Sequence, residues 1–286
     1  MPQSVRSALH LIPILLTAAV TNASPATAER VEHAIGARQE PSPAALTGRD
    51  IYQRVLDNRF RSYIQESTMV SGDRGGNTQE TELRMWFQSF RGEGGEATDG
   101  VLSKTLVRYQ LPFDLRHTGY LIIHHPERSS DQFVYLPTQR RVRRVSLRGE
   151  AVFGTDFSFE DVIPREIEHA EYERRPDSVL HDIACFVVEA VPKREADSEY
   201  SRFLIYVDQD RYVPLRTRYF DDAGVEVKAL EVDPASIERV ADVWVPMRAR
   251  MRDLRLDTFT EVQVEEIEPN PVLGRSAFEL RRLEAR

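Results

Sequence analysis

The residues best suited to chemistry in this sequence lie in one stretch, residues 131–162. The stretch opens with an alternating run that predicts a β-strand, and Pro137 ends that run. A dense basic cluster follows, formed by Arg140, Arg141, Arg143 and Arg144. Guanidinium groups bind phosphate and carboxylate through paired hydrogen bonds, so the cluster is a candidate for binding an anionic lipid headgroup or an acidic partner. The alternative is a charged sheet edge that prevents aggregation.

The apolar residues within this basic cluster break the period of a strand. Val142 and Val145 are three positions apart, whereas side chains on one face of a strand recur every two positions. A β-bulge or a short helical turn at Arg143 would accommodate the spacing.

An aromatic and acidic segment follows the arginines. Its phenylalanines are candidates for a flap over a cavity or, alternatively, for ordinary core packing; they are Phe153, Phe157 and Phe159. Its acids lack the spacing of a known metal site; they are Asp156, Glu160 and Asp161. We therefore expect these acids to form ion pairs with the arginines just upstream, and we expect no metal.

No motif in the chain points to catalysis. The adjacent His124 and His125 would face opposite sides of a strand, which makes them a poor metal pair. Neither a G-x-S-x-G nucleophile elbow nor an H-E-x-x-H zinc motif is present. The single cysteine, Cys185, lies in an apolar run and is predicted to be a buried core residue. The sequence thus predicts that the protein is not an enzyme and needs no cofactor.

The local patterns predict one helix and many strands. Thr47 and Asp50 are spaced like a capping box, and the apolar positions that follow favour a helix over residues 48–59. From Ser62 onward the period changes to two, and turn signals separate short strands. Strands at such short spacing pair antiparallel, so we predict an α+β fold that is mainly antiparallel β.

The N-terminus and the composition limit the compartment and the partners. Residues 1–28 combine a basic start, an apolar run and an Ala-Thr-Ala cleavage site, which is typical of a signal peptide. We expect a flexible arm over residues 29–46, a single domain over residues 47–286 and export to the periplasm. The formal charge of −8 becomes −9 once Arg6 is removed, which argues against nucleic-acid binding.

The order of motifs resembles the LolA-like outer membrane lipoprotein-sorting proteins. Three runs carry the resemblance: Tyr135-Leu136-Pro137, Arg140-Arg141-Val142-Arg143-Arg144, and Gly154-Thr155-Asp156-Phe157-Ser158-Phe159-Glu160-Asp161. The resemblance covers roughly residues 83–283. It is strongest over residues 112–162 and weaker over residues 206–283, and Arg116-His117-Thr118-Gly119 departs modestly from the family's usual order. The resemblance implies a curved, unclosed β-barrel whose opening is covered by helices.

The resemblance also implies a function. It favours a monomeric periplasmic carrier or binding protein for a lipid, an acyl chain or a lipoprotein, with a membrane transporter of the RND type as a partner. The candidates for the apolar cavity or its flap are Trp86, Phe113, Tyr120, Phe133, Tyr135, Phe153, Phe157 and Phe159. The alternatives are an envelope-stress sensor or partner-binding module with a similar barrel and, third, a lipid hydrolase.

Overall fold

The computed structural model describes residues 43–92, 95–146, 149–163, 165–196 and 198–284. The predicted signal peptide and most of the predicted arm lie outside these residues. Helix α1 spans Gly48–Asp57, and its capping box is present, since Thr47 and Asp50 hydrogen-bond each other's backbone. The predicted helix is therefore confirmed, with its end two residues earlier. A second helix, α2, spans Leu280–Glu284.

Strands account for most of the remaining chain. They are β1 (Ser62–Gly72), β2 (Thr78–Ser89), β3 (Ser103–Leu111), β4 (Gly119–His124), β5 (Asp131–Leu136), β6 (Arg141–Val145), β7 (Ala170–Leu180), β8 (Ile183–Pro192), β9 (Arg202–Asp208), β10 (Pro214–Phe220), β11 (Glu226–Val232), β12 (Ile237–Val240), β13 (Val243–Pro246), β14 (Arg248–Asp253) and β15 (Thr258–Pro269). Most of these strands follow each other through short turns, which is why the neighbouring pairs are antiparallel.

Thirteen of the strands form one curved sheet that does not close. Its order is β6-β5-β4-β3-β2-β1-β15-β14-β11-β10-β9-β8-β7, so β6 and β7 are its two edges. The pairing of β1 with β15 joins the two halves of the sheet in the middle. The prediction of a mainly antiparallel, unclosed barrel is confirmed.

The inner face of the sheet, defined here as the face that carries α1, holds two apolar clusters. One cluster packs Ile51 and Tyr52 of α1 against Phe186, Val188 and Phe203. The other is built on β2–β5 and is covered by residues from the segment between β6 and β7. The two clusters lie in different halves of the sheet, which leaves room between them on the inner face.

Two further pieces of chain pack on the sheet, and the C-terminal segment covers part of its outer face. The C-terminal segment places Phe278 and Leu283 against Leu106 and Leu121. The β12–β13 hairpin packs its Trp244 near Cys185, which is fully buried, and burial raises the pKa of that thiol. The predicted burial of Cys185 is confirmed. No helix among the described residues is long and apolar enough to span a membrane.

The edge strand β6 is regular, which corrects the predicted bulge or helical turn at Arg143. It pairs with β5 over residues 141–145 without a register shift. Val142 packs on the outer face with the C-terminal segment, and Val145 packs on the inner face. The three-residue spacing therefore arises because both faces of this edge strand are covered.

Candidate functional site

The segment that joins the two edge strands crosses the inner side of the barrel. This connector, residues 146–169, is fixed through its acidic side chains. Asp156 accepts a 2.7 Å hydrogen bond from Thr260 on β15, while its own amide donates to the same hydroxyl. Asp161 accepts hydrogen bonds from Tyr200 and from Lys228 of β11, at 3.1 and 3.2 Å. The connector is thus bound to the middle and to the far half of the sheet.

Among the described residues, the predicted ion pairs with Arg140, Arg141, Arg143 and Arg144 are not found for Asp156 or Asp161. Glu160 accepts hydrogen bonds from the hydroxyl of Ser198 and from the amide of Glu199. Asp156 and Asp161 bind the partners named above, and in each case the partner lies far along the chain. These acids act as anchors for the connector because each lies over the sheet, away from the edge that carries the arginines.

The three connector phenylalanines fill the inner face over β2–β5. Phe159 is buried with its ring 4.8 Å from that of Tyr120, and Phe153 lies edge-on to Tyr109 at 4.9 Å. Phe157 contacts both inner clusters. In this structure the three rings occupy core positions, which corresponds to the core-packing alternative.

A cavity of about 790 Å³ lies between the two inner clusters. Its deep wall is formed by buried side chains from α1, β8 and β9, while exposed residues of the β4–β5 and β8–β9 turns form its rim. The connector supplies the remaining wall with Glu160, Ile163 and Arg165. Cavities of about 300–1,000 Å³ typically hold a small molecule, so the size is sufficient for a ligand.

None of the eight aromatic residues predicted for the apolar cavity lines this cavity. Tyr120 and the three connector phenylalanines pack together in the inner cluster over β2–β5. Trp86, Phe133 and Tyr135 lie on the outer face beneath the C-terminal segment, because strand neighbours alternate between faces. Phe113 is 87% exposed in the β3–β4 turn. The structure thus places all eight residues outside the lining of this cavity.

The aromatic residues that do line the cavity are Tyr52, Tyr172 and Phe203. Tyr52 and Tyr172 stack with ring centroids 4.5 Å apart and thereby join α1 to β7. These residues come from three separate elements, and no local motif links them. The sequence carries only a weak local signal for another lining residue, Arg165. It is a single cation that follows the apolar pair Val162 and Ile163 within three residues.

A buried polar cluster forms the cavity wall at the end of β4. His124 is 5% exposed, its Nδ1 lies 2.9 Å from the Ser130 hydroxyl, and its Nε2 lies 3.3 Å from Glu166. Arg91 also pairs with Glu166. Burial on its own would raise the pKa of Glu166, but the contact with His124 and the charge of Arg91 lower it overall. Glu166 is therefore ionised near neutral pH and holds the connector to β4.

No metal cluster accompanies these polar groups. Among the residues that the structure describes, no group of three or more His, Cys, Asp or Glu side chains could hold a metal ion. The cavity is lined by charged groups, hydrogen-bonding groups and apolar surface.

The predicted arginine cluster lies on the open edge of the sheet. Arg144 pairs with Asp131 at 2.5 Å on the outer side, and Asp131 also binds Arg128 and His125. These contacts, that of Arg128 above all, hold the pKa of Asp131 well below its usual range. Arg141 and Arg143 lie opposite Leu136 and Val134, which places them on the inner side of the edge, where both are exposed.

Reversing the charges of Arg141 and Arg143 is expected to leave the fold nearly unchanged. Exposed charges of this kind contribute about 0–1 kcal/mol, so Arg141→Glu/Arg143→Glu should shift the free energy of unfolding by less than that. Urea unfolding measures the change. Arg144→Glu is the matched control and should cost more, because it places a carboxylate beside the partly buried Asp131. Equal losses in the two proteins would contradict this assignment.

Two family models match the sequence. A model described as "uncharacterized protein" matches residues 102–285, and a model described as "protein of unknown function (DUF1329)" matches residues 16–148. No curated protein matches the chain.

Three solved structures share the fold over most of the chain. An outer membrane lipoprotein-sorting protein domain from Vibrio parahaemolyticus is 22% identical, with a TM-score of 0.75, over 83% of this chain and 98% of that one. A DUF1329 family protein from Desulfovibrio piger is 24% identical, with a TM-score of 0.76, over 82% and 97%. A LolA superfamily protein from Nitrosomonas europaea is 15% identical, with a TM-score of 0.64, over 83% and 100%.

These likenesses confirm the resemblance inferred from residues 131–162. The motifs that carried it now have structural positions, on the edge strand and the connector of an unclosed barrel. The matched family model covers more than half of the chain, while the three solved structures establish the fold. The chain therefore belongs to the family of uncharacterized proteins whose model spans residues 102–285, and it has the fold of the LolA-like lipoprotein-sorting proteins.

Proposed function

We propose that this protein is a carrier or binding protein for a lipid, an acyl chain or a lipoprotein anchor. The observation that supports this most is the cavity of about 790 Å³ on the inner face of an unclosed barrel. An unclosed sheet allows a long ligand to enter from the side, between β6 and β7, without breaking a strand pair. The role is that of a carrier and not of an enzyme.

The composition of the cavity wall favours an amphiphile. Its deep part contains the buried side chains of Ala190, Phe203 and Ile205, which suit an apolar chain. Its rim and its connector wall contain charged and hydroxyl side chains, which suit a polar headgroup. A ligand with one apolar end and one polar end matches both regions at once.

The proposed setting is outer-membrane lipid or lipoprotein trafficking in the periplasm. The solved structures with this fold include an outer membrane lipoprotein-sorting domain, and residues 1–28 have the pattern of a signal peptide. The proposed partner is a membrane transporter of the RND type, and the support for that partner is the sequence resemblance. The proposed oligomeric state is a monomer.

Filling the cavity is expected to abolish most ligand binding. Ala190 is 3% exposed and lines the deep wall, so Ala190→Phe would place a ring where the ligand lies. We expect at least about a tenfold rise in Kd for a fluorescent acyl probe, equivalent to about 1.4 kcal/mol. Mass spectrometry of the purified proteins should also show less co-purified lipid in the variant than in the wild type.

The matched control is the same substitution elsewhere on β8. Ala184→Phe lies on this strand but is exposed and outside the cavity lining. It should bind the probe like the wild type. If Ala190→Phe also binds like the wild type while remaining folded, the ligand does not occupy this cavity. If the wild type binds neither lipid nor acyl probe, the proposed function is wrong.

The exposed arginines of β6 are proposed to act in docking and not in holding the chain of the ligand. Arg141 and Arg143 lie at the open edge, on the inner side, and positive charge there attracts anionic headgroups or an acidic partner. Arg141→Glu/Arg143→Glu should therefore weaken association with anionic vesicles, and added salt should weaken the wild type in the same way. Binding of an uncharged acyl probe should not change.

A further inference from the structure

One cavity residue, Arg165, has an incompletely satisfied guanidinium. The residue lies on the connector and lines the cavity. Its guanidinium carbon lies 3.9 Å from the centre of the Phe203 ring, a cation–π arrangement that fixes the plane of the group. Its Nη2 is buried and has no hydrogen-bond partner among the described residues.

The acids that neighbour Arg165 along the chain are engaged with other groups. The adjacent Glu166 pairs with Arg91. Glu160 binds Ser198 and the Glu199 amide, and Asp161 binds Tyr200 and Lys228. Among the described residues no ion pair joins Arg165 to a carboxylate, although its guanidinium also contacts the side chain of Tyr219. By contrast, Arg174, which lies over Phe186, is paired with Asp177. Arg202, which lies over Phe220, is paired with Glu189.

A buried guanidinium nitrogen without an acceptor is unusual because arginine cannot lose its proton in a protein. Buried polar groups are nearly always hydrogen-bonded, and each exception requires an explanation. The planar fork of arginine matches carboxylate and phosphate, which it binds through two parallel hydrogen bonds. A carboxylate or phosphate group in the cavity would supply the missing acceptor.

We propose that Arg165 binds the anionic group of an amphiphile whose apolar chain occupies the same cavity. This inference rests on the proposed function and names the chemical class of the ligand: a long-chain carboxylate or phosphate. Ala190, Phe203 and Ile205 form the surface for the chain. The anionic group is held inside the cavity, at a place distinct from the exposed arginines of β6.

The overall charge of the cavity lining does not by itself attract anions. Glu127, Glu168 and Glu195 lie exposed at the rim, where solvent and salt screen them. Glu168 is also neutralised by its pair with Arg49. Selection for an anion must therefore come from a local contact, and among the cavity's cations Arg165 is the one placed on an interior aromatic ring.

The test compares probes that differ only in the headgroup. Binding of palmitic acid, hexadecyl phosphate and hexadecanol is measured by displacement of a fluorescent acyl probe, with inorganic phosphate as a further competitor. We expect the wild type to favour one or both anionic probes over the alcohol by about tenfold or more, as a charge-assisted pair allows. The two anionic probes distinguish a carboxylate from a phosphate headgroup.

The variants assign the preference to Arg165. Arg165→Met should lose the preference for the anionic probes over hexadecanol, and Arg165→Lys should retain part of it. The measured quantity is the ratio of Kd values between probes, so the comparison remains valid even if a variant is less stable. Circular dichroism shows whether each variant is folded.

Four outcomes would overturn the inference. These are equal binding of acid, phosphate and alcohol by the wild type, an unchanged preference in Arg165→Met, displacement of the acyl probe by inorganic phosphate alone, and no binding of any amphiphile. The last would overturn the proposed function as well, whereas the first three leave it standing.

Discussion

Asp161→Ala is expected to lower the free energy of unfolding by about 3–5 kcal/mol, as for other buried ion pairs that lose one partner. The side chain of Asp161 is 1% exposed, and that of its partner Lys228 is 14% exposed. The carboxylate also accepts hydrogen bonds from Ser158 and Tyr200. Removing it leaves the lysine cation buried without its partner and releases the connector from β11.

The loss should extend from stability to ligand binding. Glu160, Ile163 and Arg165 line the cavity and lie beside Asp161 in the connector. When the connector is no longer fixed to β11, this wall of the cavity is no longer held in place. Urea unfolding and titration of the acyl probe, carried out on the same preparation, measure the two effects.

The matched control removes a carboxylate from an exposed ion pair. Glu173 pairs with Arg175 at 2.8 Å, and both side chains are well exposed, at 66% and 40%. Glu173→Ala should therefore cost about 0–1 kcal/mol. Replacing both buried partners, as Asp161→Leu/Lys228→Met, should cost less than the sum of the two single changes, because no charge is left buried. A loss below 1 kcal/mol in Asp161→Ala would refute the anchoring role.

The elements that the sequence predicts correctly are those with local signals. The cap of α1 depends on two residues three positions apart, Thr47 and Asp50. The hairpins depend on alternation and on turn residues between neighbouring strands. Both kinds of signal lie within a dozen residues, so they can be interpreted without knowing where the rest of the chain packs.

The predictions that failed depended on contacts between distant parts of the chain. Asp156 binds Thr260, which is 104 positions away, and no local pattern favours that residue over the nearby arginines. Val142 packs against a C-terminal segment that covers the outer face. The alternation of side chains along a strand identifies which residues share a face. It does not indicate that both faces of β6 are covered.

The cavity itself could not be located from the sequence for the same reason. Its aromatic wall combines Tyr52, Tyr172 and Phe203, which come from α1, β7 and β9. These elements meet because the sheet curves and brings its far half around to α1. The connector phenylalanines instead pack into the core over β2–β5. There they hold the connector wall of the cavity in place without lining the cavity.

Gly48→Val is expected to destabilise the protein by about 3 kcal/mol, at the upper end for overpacking. Gly48 begins α1 against β7, and a Cβ atom at this position would lie 2.7 Å from the backbone nitrogen of Arg174 and the carbonyl carbon of Glu173. Both obstructing atoms are backbone, so they cannot move aside by a rotamer change. Valine is a better helix former than glycine, so any loss must come from this close approach.

The same substitution should weaken ligand binding, because α1 carries Tyr52 into the cavity wall. Moving the helix away from β7 would separate Tyr52 from Tyr172, whose rings now stack at 4.5 Å. Gly274→Val is the matched control, since its Cβ would meet nothing closer than the Ser276 hydroxyl at 3.9 Å. Thermal unfolding and acyl-probe titration should both separate the two variants. If Gly48→Val matches Gly274→Val in both measurements, α1 does not depend on this close contact with β7 for its position.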